Sequence, residues 1–77
     1  RQPDPVSLDQ GTAGRLWKAI DALPNLQRQV LLHRIFEGLS TAETAQAIQR
    51  AEGTVKASLH RAVKALSAEL ADLVSLA

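Results

Sequence analysis

Four cations stand close together near the end of this sequence. Arg50, Lys56, Arg61 and Lys64 share one stretch with a single acid, Glu52, while Asp4, Asp9, Asp21, Glu37, Glu43, Glu69 and Asp72 lie elsewhere. Clustered Lys and Arg neutralise phosphates and displace their counterions, so the chemistry on offer is attraction for a nucleic-acid backbone. A net charge of +1 over 77 residues would not call for such a partner; its distribution fits one, as it equally fits a solvated helix face with an excess of Lys and Arg. Bond-making chemistry finds no matching set. No cysteine is present, which excludes disulfides, zinc-thiolate sites and a thiol nucleophile. His33 and His60 fall on different predicted helices, and Ser58 with His60 is an i, i+2 pair whose members face different directions on a helix. With the second helix read to Phe36, His33 also has no acidic or histidine partner three or four residues away on that helix. Neither a catalytic centre nor a metal or cofactor site is expected, and His60 reads as a neighbour of phosphate on the basic face.

The elements that must position these cations are all helical. Residues 1–11 hold Pro3, Pro5 and Gly11 among scattered polar groups without periodicity, the composition of a linker or frayed segment. Residues 12–77 form the domain. Leu16, Trp17, Ile20 and Leu23 recur at helical spacing from Thr12, predicting a first helix that ends at Leu23-Pro24. Pro24 suits a first turn, so a second helix is predicted from about Pro24 to Phe36, with Leu26, Val30, Leu31 and Ile35 as its apolar stripe. Gly38 then ends it in a left-handed conformation. Ser40-Thr41-Ala42-Glu43 has the form of a capping box and starts a short third helix with Ala42, Ala45 and Ile48 on its apolar side. After the polar group Gln49-Arg50-Ala51-Glu52, a fourth helix runs from Gly53 to about Val74 on the spacing of Val55, Leu59, Ala62, Leu66, Leu70 and Leu73.

At about 100° per residue, pointing Val55, Leu59, Ala62 and Leu66 inward leaves Gly53, Thr54, Ala57, His60, Arg61 and Lys64 on the opposite face, with Lys56 and Ser58 on its flanks. That face is small and polar at its start and basic further along. Its start can approach another surface closely, and Arg or Lys one or two turns on can reach phosphates or base edges. A short helix, a polar turn and a helix with one basic face make a helix-turn-helix, whose second helix enters the major groove. The fold expected is an all-α, small four-helix domain, winged-helix-like but without a wing. The longest apolar run, Val30 to Leu32, is far below the roughly 20 residues of a membrane span, so a soluble domain without membrane insertion is expected. A chain that begins at Arg1 and holds no methionine reads as a piece of a longer product.

Ala22-Leu23-Pro24, Gln27-Arg28-Gln29-Val30, Glu37-Gly38-Leu39-Ser40, Glu43-Thr44-Ala45, Gly53-Thr54-Val55-Lys56 and Leu59-His60-Arg61-Ala62 occur in the order and spacing of region 4 of bacterial sigma factors. Over about Leu16 to Leu70 the chain resembles most the extracytoplasmic function (ECF) group, whose recognition helix commonly opens Gly-Thr-Val-Lys and continues Leu-His-Arg-Ala. The resemblance implies a cytoplasmic factor that binds double-stranded promoter DNA at the upstream (−35) element and core RNA polymerase at its β flap, under the control of an anti-sigma factor. On that reading Gly53, Thr54, Lys56, Ala57, Ser58, His60, Arg61 and Lys64 face DNA, and Trp17, Leu31 and Phe36 are candidates for protein docking. Three positions depart from the family pattern. Gln49 replaces the usual turn glycine, Ala51 the serine that caps the recognition helix, and Ala57-Ser58 the common Ser-Arg pair.

Two other functions fit the residues: the helix-turn-helix output domain of another regulator, and a decoy that keeps the sigma shape to occupy an anti-sigma factor. Leu23-Pro24 and Leu59-His60-Arg61-Ala62 favour sigma over the first. The lost cap and lost basic residue are the support for the second.

Overall fold

The computed structural model describes residues 10–71, excluding the side chains of Gln10 and Thr12. Of the linker predicted over residues 1–11, residues 1–9 lie outside the described part, as does the end of the fourth helix beyond residue 71, while Gln10 and Gly11 belong to the first helix and not to a linker. Helix α1 spans Gln10–Ala22 and α2 spans Asn25–Leu31, continued by a π-helical turn over Leu32–Phe36. Helix α3 spans Thr41–Ile48 and α4 spans Glu52–Glu69. No strand occurs among the described residues, as an all-α domain requires.

Each boundary has a local cause. Pro24 is extended (φ −54°, ψ 149°) and stands just before α2 as its N-cap, one position earlier than its predicted place inside the first turn. Arg28 then holds the α1–α2 corner: Nη1 donates to the carbonyls of Asp21 and Leu23 at 3.1 and 3.0 Å, and Nη2 to Asn25 Oδ1 at 3.0 Å. These bonds satisfy carbonyls that the end of a helix leaves without intrahelical partners. At α3 both halves of the capping box form, with Glu43 N donating to Ser40 Oγ at 3.0 Å and Ser40 N donating to Glu43 Oε1 at 2.8 Å. Gly38 is left-handed at φ 75°, as its position after the second helix predicts.

The π turn changes the outcome of the second helix. Glu37 N donates to the carbonyl of Leu32, five residues back, and Leu39 N to that of His33. Widening the turn takes the side chains after Leu32 off the 3.6-residue register. Ile35, expected in the inward stripe, is therefore 57% exposed, while Leu32 packs against the core. Arg34 Nη1 donates to the Leu39 carbonyl at 2.7 Å, which ties the π turn to the segment leading into α3.

Two apolar clusters make the core. Ile20, Leu23, Leu31 and Ala62 join α1, α2 and α4, with Leu16, Leu32, Leu59 and Leu66 at their edge. Val30, Ala45 and Val55 join α2, α3 and α4, with Leu26, Ile48 and Leu59 beside them. Leu59 lies against both, and α2 with α4 forms the most extensive helix pair. On α3 the buried residues are Thr44 and Ala45; Ala42, predicted inward, is exposed.

The link between α3 and α4 runs through Gln49, left-handed at φ 57° and ψ 50°, with Arg50 N donating to the Ala45 carbonyl at 3.0 Å. A non-glycine residue there carries strain of about 1–2 kcal/mol. Ala51 occupies the N-cap of α4 in extended conformation and offers no side-chain bond to the helix. Gln49→Gly should therefore raise unfolding stability by about 1 kcal/mol, and Ser40→Ala should lower it by about 0.5–2 kcal/mol. Urea titrations of the two variants check both signs; a midpoint unmoved by Ser40→Ala would mean that the capping box contributes nothing to α3.

Candidate nucleic-acid interface

Helix α4 is set in rotation by its buried side. Val55, Ser58 and Ala62 are buried at i, i+3 and i+7, and Leu59 and Leu66 flank them. Gly53, Lys56, Ala57, His60, Arg61 and Lys64 are consequently exposed, and Thr54 is half-buried. A methyl group added at Gly53 would meet no atom within 4 Å, so the first turn is open toward solvent. Ser58 requires correction. At 3% exposure it lies on the core side with Val55 and Ala62, so it cannot belong to the DNA-facing set. A small hydroxyl side chain fits the close approach of helices there, where the wheel had placed it on a flank.

Among the described residues, the side chains of Lys56, His60, Arg61 and Lys64 take part in no hydrogen bond or ion pair, and the same holds for exposed Arg50 in the preceding turn. Arg28 and Arg34, by contrast, are engaged with backbone carbonyls. Charges that are exposed and uncompensated make a local positive field. No group of three or more His, Cys, Asp or Glu among the described residues could hold a metal ion.

A second set of exposed apolar residues comes from α1 and the π turn. The Trp17 and Phe36 rings lie with centroids 5.3 Å apart and planes inclined by 30°, and the two residues are 48% and 50% exposed. Leu31, the third docking candidate, is 3% exposed and belongs to the core with Ile20, Leu23 and Ala62; it is removed from the surface set because the second helix turns that side toward α1 and α4. Exposed Ile35, next to Phe36 in the chain, is an apolar group that periodicity assigned to the core and that only the π turn reveals. His33 has an acidic neighbour after all: Nδ1 stands 2.7 Å from Glu37 Oε1, a contact hidden when the helix is taken to end at Phe36.

The model described as sigma-70, region 4 matches residues 13–66. The chain belongs to the sigma-70 region 4 family. Its relatives include the ECF RNA polymerase sigma factor SigD of Mycobacterium tuberculosis, 32% identical over 68 residues that make up 88% of this chain and 32% of that protein. The RNA polymerase sigma-E factor of Streptomyces antibioticus is 46% identical over 55 residues, 71% of this chain and 31% of that protein. The ECF RNA polymerase sigma factor SigX of Bacillus subtilis is 33% identical over 64 residues, 83% of this chain and 33% of its own length. The ECF resemblance seen in the sequence motifs is thus matched by whole-domain similarity. The chain spans about a third of the length of these curated relatives.

Were α4 to enter a groove, cations without a partner among the described residues would act on phosphates without regard to sequence. Arg61→Ala and Lys64→Ala are each expected to weaken binding to all duplexes by a similar factor and to lower the salt slope by about one phosphate. Titrations of labelled duplexes across a salt series measure both quantities; unchanged slopes in the two variants would remove Arg61 and Lys64 from the interface.

Proposed function

We propose that this chain is the promoter-reading domain of a cytoplasmic ECF sigma factor, in which α4 enters the major groove of the upstream (−35) element. The observation that carries the proposal is the bare cationic side of α4, opposite a stripe buried in both core clusters. Membership of the region 4 family supports it. The division of labour follows from reach: Gly53, Thr54, Lys56 and Ala57 at the start of the helix lie nearest base edges, while His60, Arg61 and Lys64 further along meet phosphates. Phosphate contacts position the helix and base contacts give it sequence preference. The domain performs no covalent chemistry of its own and needs no cofactor.

The Trp17–Phe36 pair is the proposed protein-docking surface, engaging the β flap of core RNA polymerase or an anti-sigma factor. Stacked aromatics that remain half exposed are suited to anchor a partner's apolar side chains. A decoy that occupies an anti-sigma factor without reading DNA is the second reading, favoured by the uncapped start of α4 and by Ala57-Ser58 standing where the family commonly has Ser-Arg.

Selection of bound duplexes from a random pool tests the function directly. A reproducible sequence motif is expected, with Lys56→Ala or an Ala57 substitution changing the preferred bases rather than only the affinity. Trp17→Ala should weaken capture of core polymerase by about thirtyfold, the ~2 kcal/mol of an aromatic anchor, while leaving DNA affinity as it was. Enrichment of no sequence by the folded chain would contradict the promoter-reading function and leave the decoy as the better account.

A further inference from the structure

The only acid in the first turn of α4 is Glu52, and the next acid on that helix is Glu69 at its other end. Glu52 is exposed and makes no hydrogen bond or ion pair among the described residues, although Lys56 stands at i+4, where a Glu–Lys pair can form on a helix. Side chains on a helix tilt toward its N-terminus, so a first-turn residue projects past the end of the helix. In a helix that enters the groove start-first, that direction leads to base edges.

A carboxylate in that position has two very different surroundings to meet. Phosphate oxygens repel it. Base edges offer it two donors in the major groove, the N4 amine of cytosine and the N6 amine of adenine. Adenine sets the N7 acceptor beside its amine, which repels a carboxylate, so cytosine is the complementary base. Among its neighbours in the first two turns, Gly53 has no side chain, Ala57 ends in a methyl group and Lys56 is a donor, while Thr54, whose hydroxyl can accept, is half-buried and uncharged. We infer that Glu52 is a specificity-determining residue of α4, reading one cytosine of the recognised site by accepting a hydrogen bond from its N4 amine. The inference rests on the assignment of α4 as the DNA-reading helix. An acid in a first turn also stabilises its helix through the dipole, but that contribution is indifferent to which base lies opposite.

Base identity is therefore the readout. Parallel selections from random duplexes with the unaltered chain, Glu52→Gln and Glu52→Ala, each verified as folded by circular dichroism, give three motifs to compare. The unaltered chain is expected to fix a cytosine on one strand at one position. Glu52→Gln should move that position to adenine, because an amide pairs with N6 and N7 of adenine. Glu52→Ala should leave it unselected, with the preference for cytosine over the other bases reduced about tenfold and the rest of the motif intact. If both variants select the unaltered motif, with or without a uniform gain in affinity from lost phosphate repulsion, the assignment of Glu52 is overturned while DNA reading stands. If the unaltered chain selects no motif, the DNA-reading function and the role of Glu52 fall together.

Discussion

Burial of one side of α4 is the constraint on which the rest of the structure depends. Val55 and Ala62 are fully enclosed, and Leu59 lies against both apolar clusters, so α1, α2 and α3 are all assembled on the same stripe. Enclosing a valine-sized side chain contributes about 1.5–3 kcal/mol. Turning the helix by one residue would bring Lys56 toward the place of Val55 and require a charge without a partner to leave water, which is far more unfavourable. The rotation of α4 is therefore determined by the core, and the direction of its cations follows from it. No separate device is needed to hold Lys56, Arg61 and Lys64 outward.

That arrangement explains how the domain tolerates weak local signals where α3 meets α4. Gln49 adopts a left-handed backbone without being glycine, and Ala51 leaves the start of α4 without a side-chain cap. Each is unfavourable by roughly 1 kcal/mol. The tertiary packing of Ala45 and Val55 on either side of the turn opposes both. The well-formed capping box at Ser40 and Glu43 places the firmest local instruction one helix earlier, at the entry to the helix-turn-helix.

Those elements were legible because their signals are local or strictly periodic. A serine three residues before a glutamate, a glycine after a helix and a stripe at 3.6-residue spacing state their geometry in the sequence itself. The π turn does not. Its extra residue per turn violates the periodicity by which Ile35 was assigned to the core, and it exposes Ile35, draws Leu32 inward and brings Phe36 to Trp17. Ser58 escaped for another reason: the wheel put it on a flank of the buried stripe, and a small side chain there can be buried despite its hydroxyl. Of the residues assigned to DNA all but Ser58 lie off the buried stripe, with Thr54 half-buried, whereas Leu31 of the docking set precedes the π turn and is buried on the inward stripe that periodicity itself gave the second helix.

The central claim is that two separate surfaces emerge from one core, with α4 directed at DNA and the Trp17–Phe36 pair directed elsewhere. Chemical-shift mapping of the isotopically labelled chain, titrated with a duplex carrying its selected site, tests this most directly. The account predicts that the largest changes fall on the amides of Gly53, Lys56, Ala57, His60, Arg61 and Lys64, with the Trp17 indole signal unmoved. Changes centred on Trp17 and Phe36, with α4 unaffected, would contradict it.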